Sequence, residues 1–418
     1  MAVARSNAVL KVNRQRLLQR LDALAVFGVD PTGGWSRYSF SEEDLKARDL
    51  LTQWTTGLGM TARTDAAGNL IARLEGSDPD LPAVAVGSHL DTVKNGGKFD
   101  GVYGVVAGLE AINVLVEQKV SHRRPVELIV FAEEEGSGFG ASLYGSKAMA
   151  GVADELFLGM ADETGLTLGE AMQRVGCDPT LYRNAARDKT DLHAYLEAHI
   201  EQGLVLESEN TAIGVVEGIV GFLWARLTVR GRPDHAGATP MDLRRDAVAG
   251  AAEIILAAEA LALEAGKPLV STTGKMSVKP NSINSIAGEV EISFDVRDIR
   301  QEKLDAYVAG LGERIDTVCR RRGLRYEYED IAHADPVLLS GGMCEAVERA
   351  ARQAGVSSRR MVSGAGHDAQ LMARITDVGM IFVPSKDGIS HSPDEWTEPE
   401  HLEQGAQVLC NALLELVH

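Results

Sequence analysis

Residues 126–136 most narrow what this chain can fold into, because the apolar run Val126-Glu127-Leu128-Ile129-Val130-Phe131-Ala132 leads straight into Glu133-Glu134-Glu135-Gly136. A strand with so many apolar residues is one that a sheet buries. Three adjacent carboxylates repel one another, and a buried strand end tolerates them only if a cation or a proton neutralises them. The bland alternative is a solvated loop, since charge runs are usually exposed. A second apolar run, Ala83-Val84-Ala85-Val86, passes into Gly87-Ser88-His89-Leu90-Asp91 and the turn Gly96-Gly97-Lys98-Phe99-Asp100-Gly101. A small-residue helix predicted from Gly104 to Leu115 separates the two runs. Strand, helix and strand with polar residues at the strand ends predict an α/β sheet whose carboxyl edge carries the chemistry.

With 418 residues there is material for two or three domains. Leu17, Leu18, Leu21, Leu24 and Ala25 recur at helical spacing, and Ser41 with Asp44 three positions later marks another helix start. Between about 212 and 330 the rhythm changes to β-β-α-β-β-α-β: strands near 212–230, an Ala-rich helix near 240–264, strands near 268–278 and 288–298, a helix near 301–322 and the strand Tyr326-Glu327-Tyr328. A helix over 340–354, the cluster Ser363-Gly364-Ala365-Gly366 and the strand 378–383 then resume the first pattern. The expected organisation is one discontinuous domain, 1–211 with 330–418, interrupted by an α+β domain over 212–329. No repeat and no low-complexity tract is evident.

The formal charge of −18 argues against a nucleic-acid partner, whose phosphates are neutralised by Lys and Arg, and against anionic membrane surfaces. Cys177, Cys319, Cys344 and Cys410 form no CxxC, so reduced thiols are expected rather than a disulfide framework or a thiolate zinc site. The N-terminus lacks an apolar segment ahead of its charges and no long apolar run follows, which predicts a cytoplasmic protein.

His89 and Asp91, at positions i and i+2, can face one site, with Asp91 orienting the imidazole and Asp100 reaching the same space from the turn. His199 in His199-Ile200-Glu201-Gln202-Gly203 and His391 in Ser390-His391-Ser392-Pro393 add two further imidazoles. Imidazole and carboxylate donors without sulfur suit Zn, Mn, Co or Ni, and a carboxylate shared by two ions makes a paired site that activates water. One carboxylate of the triple glutamate would bind metal and a neighbour would remain free as a base; the residues alone do not say which.

The segments GSHLDTVKNGGKFDG (87–101), FAEEEGSGFG (131–140), HIEQG (199–203), DHAGATPMDLRRDA (234–247), PNSINSIAG (280–288), FDVRD (294–298), SGAGHDA (363–369) and SHSPDEWT (390–397) carry a resemblance. In this order they resemble the hydantoinase/carbamoylase branch of the M20 metallopeptidase family, which contains N-carbamoyl-L-amino acid hydrolases, allantoate amidohydrolases and β-ureidopropionases. The resemblance implies a zinc-exopeptidase-like catalytic domain with an inserted ferredoxin-like domain acting as lid and dimerisation surface. It implies two divalent ions, Zn or Mn, Co or Ni, one on His89, Asp100 and His199 and the other on Asp100, Glu135 and His391. Glu134 would be the general base, Asp91 the support of His89, and His235 an oxyanion donor supplied to an active site, usually the partner subunit's. Gln202, Asn284 and Arg297 would bind substrate, Arg297 through the carboxylate; otherwise Arg297 is an ordinary strand-end ion pair.

His367 is left beside the site, while His122, His193, His333, His401 and His418 are assigned to the surface. The family usually has an arginine where this chain has Gly138, which bears on the substrate pocket and leaves the metal ligands untouched. The implied reaction is hydrolysis of a small carbamoyl or ureido acid, first an N-carbamoyl-L-amino acid, with allantoate and β-ureidopropionate as rivals. More distant rivals are an aminoacylase or peptidase and a binding protein that keeps the fold without turnover.

Overall fold

The computed structural model describes residues 10–418; the reading of an N-terminus without an export signal rests partly on residues 1–9, which lie outside the described residues. Two compact units emerge, one of residues 10–217, Leu339–Met361 and Ala365–His418, the other of Gly218–Leu338 and Val362–Gly364. The fold is of the α/β class, with an α+β unit inserted.

In the first unit a mixed sheet runs in the order Thr61–Thr64, Leu70–Leu74, Val126–Phe131, Ala83–His89, Leu192–Ile200, Asp377–Val383 and Ile213–Ile219. The four central strands are mutually parallel, so their carboxyl ends share one edge. His89 is level with Phe131, two residues before Glu133, and His199 is level with Phe382. The helix Val102–Glu117 is buried along its whole length from Val102 to Leu115. Gly104 permits its close approach to the sheet, because a Cβ there would sit 2.3 Å from the Ala198 carbonyl oxygen. The helices Arg14–Leu24 and Pro399–Leu416 pack on its outer side. The predicted helix start at Ser41 is present: its side chain accepts the Asp44 N–H at the N-cap of Glu42–Gly57.

The second unit holds an antiparallel sheet in the order Met276–Lys279, Glu289–Asp298, Gly221–Arg230 and Arg325–Ala334. Its inward residues Ala225, Leu227, Val229, Val290, Ile292 and Phe294 share a core with Ile254 and Ala258 of the helix Ala247–Ala265 and with Leu311 and Ile315 of Gln301–Arg322. The strand order and the two helices form a β-α-β-β-α-β unit, which corrects the seven-element pattern expected from sequence. The strand Ile213–Ile219 pairs with Asp377–Val383 in the large sheet, so the first expected strand of the insertion belongs elsewhere. An apolar strand reports burial; it does not say which sheet buries it.

No helix among the described residues is long and apolar enough to cross a membrane. Cys319, Cys344 and Cys410 are buried and Cys177 half-buried, all as free thiols.

Candidate metal centre

The carboxyl edge of the first unit's sheet gathers His89, Asp100, Glu134, Glu135, His199 and His391. Three triplets have donor atoms within 4.8 Å of one another: His89, Asp100 and His199; His89, Glu134 and Glu135; and Asp100, Glu135 and His391. Asp100 stands in two of them. Its Oδ1 is 3.1 Å from His199 Nε2 and 3.6 Å from His89 Nε2, while its Oδ2 is 3.2 Å from His391 Nε2. Glu135 Oε2 lies 3.7 Å from His391 Nε2, and Glu134 Oε2 lies 3.6 Å from His89 Nε2. Asp100 thus presents its two oxygens to different imidazoles.

The tautomers of the two buried histidines follow from their other ring nitrogen. His89 Nδ1 is 2.9 Å from the Asp91 carbonyl oxygen and His199 Nδ1 is 2.9 Å from that of Ile200. A carbonyl oxygen can only accept, so each Nδ1 donates, and each Nε2 is left as the ring nitrogen that faces Asp100. Asp91 therefore orients His89 differently from the side-chain contact expected: the main chain makes the short bond, and the nearest carboxylate oxygen is 3.7 Å away. The strand ends at His89, so the backbone turns before Asp91 and sends its Oδ2 to accept the Glu135 N–H at 3.1 Å.

The triple glutamate is resolved by its turn. Glu133 has a left-handed backbone, φ 55°, and its Oε1 accepts the Phe139 N–H at 2.7 Å, away from the histidines. Glu134 and Glu135 alone face them. Burial, followed by the charge of Asp91, pushes the Glu133 carboxyl up to about 8. Burial also drives Glu134 and Glu135 well above the carboxylate range, reinforced by the charge of Glu135 on the first and of Asp100 on the second. Burial would raise Asp100 too, but hydrogen bonds from His199 and His391 hold it well below its ordinary value. Burial lowers His199, and the hydrogen bond and charge of Asp100 outweigh this, carrying it up to about 9.

This donor set fits divalent ions. All its residues but the exposed His391 are wholly or largely withdrawn from water, and the buried Glu135 Oε1 has no hydrogen-bond partner among the described residues. A cation between imidazole and carboxylate would take the place of the protons that otherwise hold such a cluster together.

Gln202 sits inside the cluster: its Nε2 donates to Asp100 Oδ2 at 2.7 Å. His367 packs edge-on against His199, ring centroids 4.6 Å apart. The remaining expected residues belong to the second unit. His235 pairs with Ser285 across two short strands, and Ala236 N–H donates to the Asn284 carbonyl, so His235 and Asn284 are neighbours. His235 Nδ1 accepts the N–H groups of Gly237 and Ala238 at 3.0 and 3.1 Å, which leaves the proton on Nε2 of an exposed ring. Arg297 is forked onto Asp295, Nε and Nη2 each 2.9 Å from a carboxylate oxygen, and donates from Nη1 to the Gly364 carbonyl at 2.7 Å. The strand-end ion pair is therefore present.

Among the buried acids that escaped the sequence reading, two bond to the segments that carry the site. Glu197 accepts from Ser88 Oγ at 2.8 Å and from the Ala369 N–H at 3.0 Å; it lies two residues before His199, on the same strand face, which was the available signal. Glu395 accepts the Phe99 and Asp100 N–H groups at 2.8 and 3.2 Å and the Ser390 hydroxyl at 2.8 Å. At position 138, a Cβ would stand 3.1 Å from Glu133 Oε2, an oxygen without a partner among the described residues. The position where the resemblance implies an arginine thus adjoins the second oxygen of a buried acid.

A mixed α/β sheet whose parallel central strands bring imidazoles and carboxylates together at their carboxyl edge defines the fold and site of a metal-dependent hydrolase. The chain belongs to peptidase family M20/M25/M40, whose model matches residues 85–415. It is 42% identical to an N-carbamoyl-L-amino acid amidohydrolase of Geobacillus stearothermophilus, over 97% of this chain and 99% of that protein. An allantoate amidohydrolase of Bacillus subtilis is 35% identical over 95% of this chain and 96% of its own length. Among solved structures, an amidase of the hydantoinase/carbamoylase family from Burkholderia multivorans superposes with a TM-score of 0.92 at 37% identity, covering 98% of each chain.

Proposed function

We propose that this chain hydrolyses the carbamoyl C–N bond of N-carbamoyl-L-amino acids. The observation that carries the reading is Asp100 shared by two donor triplets with Glu134 against them, in a chain 42% identical along its length to a protein named for that reaction. One water is consumed, and the amino acid, ammonia and carbon dioxide leave. His89, Asp100 and His199 would hold one divalent ion, and Asp100, Glu135 and His391 a second. Such ions supply positive charge that polarises the carbamoyl group and acidifies water. Glu134 takes a proton from the attacking water and returns it to the departing nitrogen, from a position 3.6 Å from His89 Nε2. Asp91 steadies both His89, through its carbonyl, and Glu135, through its carboxylate. His235 offers its Nε2–H to the developing oxyanion, Asn284 and Gln202 offer amides, and Arg297, oriented by Asp295, receives the substrate carboxylate.

The inserted unit is read as lid and dimerisation surface. Its helix Ala247–Ala265 turns Ala252, Leu256, Ala260 and Leu263 outward, an exposed apolar stripe at helical spacing that a second copy of the chain would cover. A cytoplasmic setting is consistent with four free thiols.

Ammonia release from a panel of N-carbamoyl-L-amino acids, their D enantiomers, β-ureidopropionate and allantoate tests the reading. The highest kcat/KM is expected on an N-carbamoyl-L-amino acid. A preference of about tenfold for allantoate, roughly 1.4 kcal/mol in the transition state, would move the assignment to the rival substrate. No turnover of any of them by metal-loaded protein would favour a binding protein. Elemental analysis of the reconstituted enzyme is expected to find about two ions per chain, as a shared carboxylate requires. One ion per chain at full activity removes the bridging role of Asp100.

A further inference from the structure

Outside the three triplets, one acid ties the segment bearing Asp100 to the segment bearing His391. Glu395 is buried, with 4% of its surface exposed. Its Oε1 accepts the main-chain N–H groups of Phe99 at 2.8 Å and Asp100 at 3.2 Å, fixing the backbone from which the Asp100 carboxylate projects. Its Oε2 meets the Ser390 hydroxyl at 2.8 Å, and that hydroxyl is 3.2 Å from Asp100 Oδ2, the oxygen that faces His391. Ser390 immediately precedes His391, whose left-handed φ of 53° leaves little conformational latitude. The turn is shaped to admit this side chain: a Cβ on Gly97 would fall 2.0–2.3 Å from the Glu395 carboxylate atoms.

We infer that Glu395 is a positioning residue that locks the Asp100 turn to the His391 loop, so that the Asp100, Glu135 and His391 triplet is assembled before an ion arrives. The inference rests on the paired-ion reading above and adds a requirement to it. The triplet of His89, Asp100 and His199 draws its imidazoles from the ends of sheet strands, with their rings held by the carbonyls of Asp91 and Ile200. It depends on Glu395 only through the Asp100 backbone. The triplet with His391 depends on Glu395 twice, through Asp100 and through Ser390. Loss of Glu395 should therefore split the two affinities rather than lower both equally. A preformed ligand loop is worth affinity because binding then need not supply the ordering.

The test is stepwise metal binding to the full-length apo chain, with zinc titrated against a chromophoric chelator and the cobalt-loaded protein followed by its visible spectrum. Glu395→Ala is expected to weaken the second ion by at least about tenfold and the first by less than about threefold, with apo melting close to wild type. Glu395→Gln should restore the second ion to within about threefold, because the amide oxygen still accepts both N–H groups and its NH₂ can donate to Ser390 Oγ. Ser390→Ala, a small change that preserves folding, should weaken the second ion alone. Equal weakening of both ions, unchanged affinities in Glu395→Ala and Ser390→Ala, or a Gln variant as impaired as the Ala variant would overturn the inference. If wild-type chain takes up only one ion, the paired reading falls and this inference with it; two wild-type ions without the split defeat the inference alone.

Discussion

Glu134→Gln is expected to keep its metal content and to lose turnover by roughly 10²–10⁴-fold, the range for removal of a positioned general base. The amide preserves size and one acceptor oxygen, but it cannot take a proton from water or return one to nitrogen. Its Oε2 neighbour is His89 Nε2 at 3.6 Å, whereas Glu135 reaches toward His391. The two glutamates are therefore separable by experiment. Elemental analysis and steady-state rates on Glu134→Gln and Glu135→Gln side by side decide the matter. If the first variant sheds metal and the second retains it, base and ligand are exchanged. Substrate affinity in Glu134→Gln should stay near wild type, because the proton transfer is made in the transition state.

His235→Ala is expected to fold and bind metal as wild type does while kcat falls roughly 10²–10³-fold, the cost of one lost oxyanion donor. The argument starts from the ring's tautomer: two backbone N–H groups occupy Nδ1, so the exposed Nε2 is the donor. His235 lies in the inserted unit and the candidate metal ligands lie in the other. The inserted unit of the same chain or that of a second copy must bring it to the substrate. Mixing inactive His235→Ala with inactive Glu134→Gln distinguishes these routes, since a heterodimer built through the partner contains one site with both residues intact. Recovered activity after subunit exchange supports the partner route, and verified exchange without recovery supports the chain's own unit. An unchanged kcat in the single variant removes His235 from the chemistry.

The catalytic unit was legible in the sequence because its signals are local. Apolar strands that end in His89 and in the glutamates point to one edge of an α/β sheet, and the structure puts them there, with His199 near the end of a neighbouring parallel strand that the residues had not announced. The division of labour within Glu133-Glu134-Glu135 was not legible, because it depends on a left-handed turn at Glu133 that no residue type signals when the residue is not glycine. The membership of Ile213–Ile219 was hidden for another reason: pairing partners are chosen across more than a hundred residues, and a short apolar strand satisfies either sheet. The fork between Asp295 and Arg297 could have been foreseen, since residues two apart on a strand share a face. Glu395 could not, because its partners are backbone N–H groups nearly three hundred positions away.

The bonds that set the tautomers of His89 and His199 end on main-chain oxygens at positions 91 and 200. Every amino acid supplies such an oxygen, so no substitution at either position deletes the acceptor. Directed evolution that diversifies side chains at these two positions will therefore leave the tautomer of both imidazoles unchanged. Changes that bend the chain trace are another matter. Gly101, with φ 64° and a would-be Cβ 2.3 Å from the His89 ring, is where a single replacement would disturb metal affinity by displacing a ligand without changing any ligand residue. Substrate range and imidazole tautomer can in this way drift independently, the first through side chains and the second through the path of the backbone.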